Sequence, residues 1–394
     1  VTEPRALDGV VVIELGQVYN GPYCGLLLQR LGATVVKVEP FAGEPVRWRS
    51  GGTDPAFALL NAGKLGVRLD LKSPGGTTVL DRLLESADVL IENFAPGVVE
   101  RLGISYEQLA DKHPKLVYAS GRAFAESSVH ADRRGMDITV QAMSGVVSVT
   151  GFPDGPPVKA GAAVVDFAAG SHLASAVLAA LFQRERTGRG QHVQVSMQDA
   201  ILPSLASNIA GYVSSAGAMV ERTGNRHGGL SVAPYNIYPC ADGWLAILCI
   251  RDRQWLLLCD VMERPDLASN QELTTALGRV KHMDEVDEII TAWTVGRSAE
   301  QTAILLDEAG IPSSRVLSLQ EVVEDKDIRS RGMLEPLGPD GALTFGSPLD
   351  LSGSARRTDL TPAPLLGEHT REVLTGLAGF SADEVDALAD AGVV

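Results

Sequence analysis

Cysteine is scarce. The chain has four among 394 residues, Cys24, Cys240, Cys249 and Cys259, and no two form a C-x-x-C pair. That spacing argues against a zinc site or a disulfide framework, so no metal is expected, and it fits a reducing compartment. Basic residues are in deficit: 34 Lys and Arg stand against 49 Asp and Glu, a formal net charge of −15. A broad electropositive surface for nucleic acid is excluded on that balance, whereas a local group of cations for a small anionic ligand is not. Long apolar runs are missing too. The most apolar helix-like stretch, Leu173 to Phe182, is ten residues and contains Ser175, where a membrane span needs about twenty. The opening residues VTEPRALDGVVVIELG lack a basic leader followed by an apolar stretch and a cleavage site. The expectation is a soluble cytoplasmic protein with neither a membrane nor a nucleic-acid partner.

What is present is a patterned globular chain of about two domains' length. Over the first 120 residues, short β-branched runs alternate with helical patterns. Strands are expected at 9–15, 33–39, 87–94, 115–121 and 191–197, with helices at 22–31, 76–86 and 105–112. That alternation implies βαβ units and a mostly parallel sheet, whose ligands bind beyond the strand C-termini. Residues 139–150 read as an apolar helix, PDGPP (153–157) as a loop, and the segment after Asp166 as a long apolar helix ending near Gly188. Residues 202–230 show little pattern. From about 231 to 320 the texture changes to a hairpin turning at Ala241-Asp242-Gly243, followed by helices carrying Trp255, Trp293 and Leu305.

Several standard site motifs are absent. The first strand–helix turn reads GQVYNGP rather than G-x-G-x-x-G, Gly63-Lys64 is followed by Leu65 rather than Ser or Thr, and H-E-x-x-H and G-x-S-x-G do not occur. These gaps demote nicotinamide oxidoreductase, P-loop NTPase, zincin and serine hydrolase. Asp166 stands out in AAVVDFAAG. An Asp amid apolar residues is ionised and paired, neutral, or exposed in a pocket. It reads either as the N-cap of a helix beginning near Phe167, or as a carboxylate nucleophile set against an activated carbonyl such as a thioester. Lys37, Lys64, Lys72, Arg101, Arg122, Arg133 and Arg134 each read as a solvated surface charge, although several follow strands, where a phosphate-bearing ligand would dock. ENFAPG (92–97) reads as an ordinary turn, or as an amide and aromatic platform, Asn93 and Phe94, for an adenine or pantetheine arm.

ENFAPGVVERLG, GMDITVQAMSGVVSVTG, PDGPPVKAGAAVVDFAAG, ALFQRERTGRGQHVQVSMQDA, GIPSSRV and PLLGEHTREVL together resemble the class III coenzyme A-transferases. These include formyl-CoA transferase, succinate–hydroxymethylglutarate CoA-transferase and the carnitine CoA-transferase relatives, with α-methylacyl-CoA racemase in the same superfamily. The likeness runs from about residue 6 to 394. It implies an α/β fold: a Rossmann-like large domain with a parallel sheet from residues 1–200 and 335–394, a smaller α/β domain at 225–320, linkers at 201–224 and 321–334, and two subunits interlocked as a homodimer. It implies an enzyme with no permanently bound cofactor and a CoA thioester as substrate. Asp166 would attack an acyl-CoA, succinyl-CoA being one donor, to give an aspartyl anhydride and then an aspartyl–CoA thioester. A small carboxylic acid then takes the CoA. Each step exchanges one activated acyl bond for another, so the site must exclude water and aim N–H donors at the developing oxyanion.

Position by position, the resemblance assigns Val18, Tyr19 and Asn20 to the loop near the thioester, and Leu69 and Lys72 to the nucleotide end. Asn93, Phe94 and Arg101 fall to the CoA arm, Arg134 to the phosphates, and Asp137 to the neighbourhood of the nucleophile. His227, in RTGNRHGG, is either a partner for the acceptor carboxylate or a surface-loop histidine. Three departures matter. Formyl-CoA transferase carries Gln where this chain has Tyr19, and covers its site with a glycine run absent here. The racemases place His where this chain has Met136, and a Glu after the hairpin where it reads Ile250-Arg251-Asp252-Arg253. Racemisation needs an ionisable base, so a 2-methylacyl-CoA racemase is the second reading and a non-catalytic acyl-CoA-binding protein the third.

Overall fold

Apolar runs of strand length separated by helices dictate a parallel sheet covered on both faces. The computed structural model describes residues 4–48, 54–337, 342–357 and 360–394. Six strands, β1 (Val11–Glu14), β2 (Thr34–Glu39), β3 (Leu65–Arg68), β4 (Val89–Glu92), β5 (Val117–Arg122) and β6 (His192–Ser196), pair in the order β3-β2-β1-β4-β5-β6. All five pairings are parallel. This is the doubly wound arrangement, in which the order reverses between β1 and β4 and leaves a crevice at their C-terminal ends. The helices that matter are α1 (Asn20–Arg30), α2 (Pro55–Asn61), α3 (Gly76–Leu84), α4 (Val98–Leu102), α5 (Tyr106–Leu109), α6 (Asp137–Met143), α7 (Val146–Val149) and α8 (Val164–Thr187).

Alternate strand residues supply two cores. Ile13, Val36, Leu90 and Tyr118 face α3 and the C-terminal helices Thr370–Gly376 and Ala382–Asp390, whereas Val12, Val35, Val89 and Val117 face α1 and α8. In α8 every fourth residue, Val165, Ala169, Leu173, Val177 and Leu181, is buried, the stripe of a helix laid on a sheet. At 24 residues, α8 is the one helix among the described residues long and apolar enough to cross a membrane, and half of its most apolar 18-residue window is buried. It is longer than the ten-residue run that stood out in the sequence.

The described residues fall into two compact units, one of Val1–Val140, Ala162–Ile201 and Val323–Val394, the other of Gln141–Gly161 and Leu202–Val322. Segment Gln141–Gly161 clusters with the second unit. In the second unit, β7 (Tyr235–Cys240) and β8 (Gly243–Leu248) form the expected hairpin, β9 (Ser313–Arg315) joins it, and a core around Trp255, Leu258 and Ile290 fills in behind.

Local expectations differ in four places. The strand β3 and helix α2 escape the sequence pattern, because LGVR and PAFALLN are too short to show a period. The helix expected at 139–150 is broken into α6 and α7, with Gly145 at φ +91. Residues Leu202–Leu205 form a 3-10 turn and Ala206–Ser214 a helix. Asp166 is not an N-cap: α8 begins at Val164 after Ala163, which places Asp166 inside the first turn.

Candidate active site

The crevice between β1 and β4 opens into a cleft of about 610 Å³, lined by the turns after β1, β4 and β5 and by Asp166. Its floor is the turn Gly16–Tyr19, which is pinned from two sides. The Asn93 side chain accepts from Gln17 N–H at 2.7 Å and donates to Gln17 C=O at 2.9 Å. Val18 takes φ +65, a conformation that costs a β-branched residue, and its N–H is held by Glu44 Oε2 at 3.0 Å. Glu44 in turn pairs with Lys37 at 3.2 Å, and Lys37 donates to Gly16 C=O. Glu14 lies between Lys37 (3.2 Å) and Lys64 (2.8 Å). Burial works against the Lys37 charge, but Glu44, Glu14 and Glu39 outweigh it and hold its pKa above the ordinary lysine value. Lys37 and Lys64 are therefore neither solvated, as expected of each singly, nor free for a ligand. They are internal braces, and removing one partner of such a network costs about 3–5 kcal/mol.

This bracing leaves the start of α1 open. The backbone N–H groups of Tyr19, Asn20 and Gly21 have no hydrogen-bond partner among the described residues, as expected for a first helical turn without a side-chain cap. Helix α8 crosses at this point. A Cβ on Gly170 would lie 2.8 Å from the Asn20 carbonyl oxygen, so only glycine permits the approach. Phe167 stacks on Tyr19 at 5.8 Å and meets Tyr23 edge-on at 4.8 Å. Asp166 lies one turn before Gly170, on the same helix face, and lines the same cleft as Asn20, the first residue of α1.

Asp166 is 7% exposed and its carboxylate has no hydrogen bond among the described residues. Burial, followed by the charge of Asp137, pushes its pKa up to about 7. Asp137 accepts from the N–H groups of Val165 (3.0 Å) and Asp166 (3.4 Å), and so performs the capping of α8 that sequence alone offered to Asp166. Beneath the cleft-lining Asn93 and Phe94, Glu92, 1% exposed, accepts from Phe94 N–H at 2.9 Å and shapes their turn. Arg133 and Arg134 give the cleft positive charge on an otherwise acidic chain, and Arg122 adds more while pairing with Glu126 at 3.1 Å.

Of the candidate residues, Asp166, Val18, Asn20, Asn93, Phe94 and Arg134 line this one cleft. Asp137 stands behind Asp166, and the Tyr19 ring packs on Phe167. Arg101 lies on α4 just past the cleft-lining Pro96, its guanidinium folded over Gly97. Leu69 is a core residue at 1% exposure, and Lys72 is exposed on the turn after β3. His227 belongs to the second unit, where its Nδ1 accepts from Gly229 N–H at 3.2 Å and its ring meets Tyr235 edge-on. Sequence reasoning missed Gln17, Glu44 and Gly170. No local pattern marks them, since their roles depend on contacts between distant segments. Among the described residues no group of three or more His, Cys, Asp or Glu is placed to hold a metal.

The fold and site together define a doubly wound α/β protein with a buried carboxylate at its switch-point cleft. The chain belongs to CoA-transferase family III, whose model matches residues 7–370, and it is an enzyme of that family. It is 36% identical over 391 residues to succinyl-CoA–D-citramalate CoA-transferase of Chloroflexus aurantiacus, covering 97% of this chain and 96% of the relative. It is 34% identical over 420 residues to formyl-CoA:oxalate CoA-transferase of Rhodopseudomonas palustris, covering 99% and 97%. Among solved structures, a CAIB/BAIF family protein from Brucella suis superposes with a TM-score of 0.83 at 30% identity, covering 95% of this chain and all of that one.

Proposed function

We propose that the chain moves CoA from an acyl-CoA to a small carboxylic acid, with Asp166 as the covalent relay. One observation carries the reading. A buried carboxylate without a hydrogen-bond partner among the described residues shares with the open start of α1 a cleft large enough for a thioester arm. Ionised Asp166 attacks the thioester carbonyl, the C–S bond breaks, and CoA leaves as the thiolate. The thiolate attacks the aspartyl carbonyl of the anhydride, releasing the acyl group as a carboxylate and leaving an aspartyl–CoA thioester. The acceptor carboxylate reverses the two steps. The relatives named above act on oxalate and on the succinyl and citramalyl groups, which favours a dicarboxylic acid on at least one side. Arg134 and Phe94 serve the CoA arm. The same reading carries an interlocked homodimer and a cytoplasmic setting, both supported by family membership.

Incubation with acyl-CoA followed by hydroxylamine or borohydride is expected to tag Asp166, as seen by peptide mass spectrometry. Turnover that leaves Asp166 unmodified would overturn the relay.

The pH profile gives a second test. The reactive form of Asp166 is ionised, so kcat/KM is expected to rise with pH through about 7. Asp137→Asn keeps an oxygen to cap α8 but removes the neighbouring charge. It is expected to move that acidic limb to lower pH, and an unmoved limb would show that the Asp137 charge does not act on Asp166.

A further inference from the structure

Asn20 carries a buried amide that the fold does not use. It is 2% exposed, lines the cleft, and its Oδ1 has no hydrogen-bond partner. Buried amides without partners are uncommon and call for a reason. Packing explains the position but not the polarity. A Cβ on Gly121 would come within 2.6 Å of Asn20 Oδ1, so β5 makes room for the carboxamide with a glycine, and an apolar side chain of similar size would fill the same space. The amide stands at the first residue of α1, beside the unpaired N–H groups of Tyr19, Asn20 and Gly21. The Gly170 approach fixes α8 against the Asn20 carbonyl and sets Asp166 one turn away on the same face.

From this placement we infer that the Asn20 carboxamide is a catalytic residue: a side-chain hydrogen-bond donor to the oxyanion formed when a thioester or anhydride carbonyl is attacked at Asp166. The inference rests on the covalent reading above and adds to it a group that acts only while the carbonyl carbon is tetrahedral. In the resting site the amide has nothing to bond. Only Oδ1 is sealed in, against Gly121; the Nδ2 end is not among the fully buried unpartnered atoms, and it is the donor the amide offers to the cleft. When the Asp166 oxygen adds to the carbonyl carbon, the C=O pair moves onto oxygen, and the amide with the α1 N–H groups receives that charge. When the tetrahedral state collapses, the pair returns, the C–S or C–O bond breaks, and the amide is released. A donor of this kind affects kcat more than ground-state binding.

The test compares wild type with Asn20→Ala, which removes the amide without adding bulk, and with Asn20→Asp, which keeps the size but offers no donor when ionised. Each is assayed for CoA dissociation constant, for kcat and KM with a fixed acyl-CoA and acid pair, and for the rate at which the Asp166 adduct forms. The expected result is a fall of about 10²-fold in kcat and in adduct formation for both variants, with CoA affinity held within about twofold. An adduct that forms at the wild-type rate in Asn20→Ala would overturn this inference alone. So would a loss confined to KM, which would make the amide a binding group. Wild-type turnover without any adduct at Asp166 would remove the covalent reading and this inference together.

Discussion

Asp166→Ala is expected to lower CoA transfer by about 10⁴-fold or more, because in the proposed mechanism it deletes the covalent relay rather than weakening a contact. The variant is expected to fold and to keep its affinity for CoA. Nothing in the fold leans on the Asp166 side chain: its carboxylate bonds to no described residue, and Asp137 still holds the Val165 and Asp166 N–H groups. Alanine is also the better helix former at that position. The cleft's cations and the braced Asn93–Phe94 turn, to which the proposal assigns the CoA arm, remain in place. Asp166→Glu makes a sharper control. It keeps the charge but moves the oxygens by one methylene, and covalent catalysis tolerates such displacement poorly. Steady-state transfer and CoA titration by calorimetry are the measurements. A variant that transfers CoA at close to the wild-type rate would require direct attack of the acceptor on the thioester, with no enzyme-bound intermediate.

The strand pattern was readable because apolar runs such as VVVIE and TVVKVE have nothing else to do in a chain of this size. Five of the six sheet strands were legible in this way; β3 was not, since Gly66 interrupts a run of four residues. The site was legible at Asp166 because a lone acid in an apolar run is costly, but its local role was not. Whether such an acid caps a helix or faces a cleft depends on where the helix begins, and Ala163–Val164 gives no capping signal. The basic residues show the same limit from the other direction. Lys37 and Lys64 look like surface charges in one dimension, and become internal braces only because Glu14 and Glu44 arrive from other segments. Position alone does not separate these from Arg133 and Arg134, which do reach the cleft.

Those braces explain how a strained turn can persist at the site. Val18 in a left-handed conformation and three unpaired N–H groups are unfavourable alone. The Glu44 and Lys37 contacts hold them in place, with Asn93, just past the C-terminal end of the neighbouring strand β4, clamping Gln17. Donors that are fixed before the substrate arrives need no reorganisation when charge develops, which is the condition under which they assist catalysis most. The fold thus stores unfavourable local states where the proposed chemistry would use them.

The same logic predicts a gain of stability where function is lost. Asp166 has its pKa raised from an ordinary 3.8 to about 7, so the folded chain binds that proton more tightly than the unfolded chain does. Between these two values the unfolded state has released the proton and the folded state has not, and stability falls as pH rises. The penalty is absent below the unfolded pKa and complete above the folded one. Asp166→Asn replaces the carboxyl with a neutral group of nearly the same shape and removes the proton equilibrium. Its stability relative to wild type is therefore expected to increase with pH, by roughly 3 kcal/mol between about pH 5 and pH 8, at about 1.36 kcal/mol for each of the two units below the folded pKa. That shift already contains the Asp137 repulsion, which the asparagine removes together with the burial cost. Denaturation midpoints of the two proteins at both pH values measure the difference, and other titrating groups largely cancel in the comparison. An offset that is the same at both pH values would mean that Asp166 ionises as an ordinary aspartate, and that the fold bears no cost for holding this carboxylate dry.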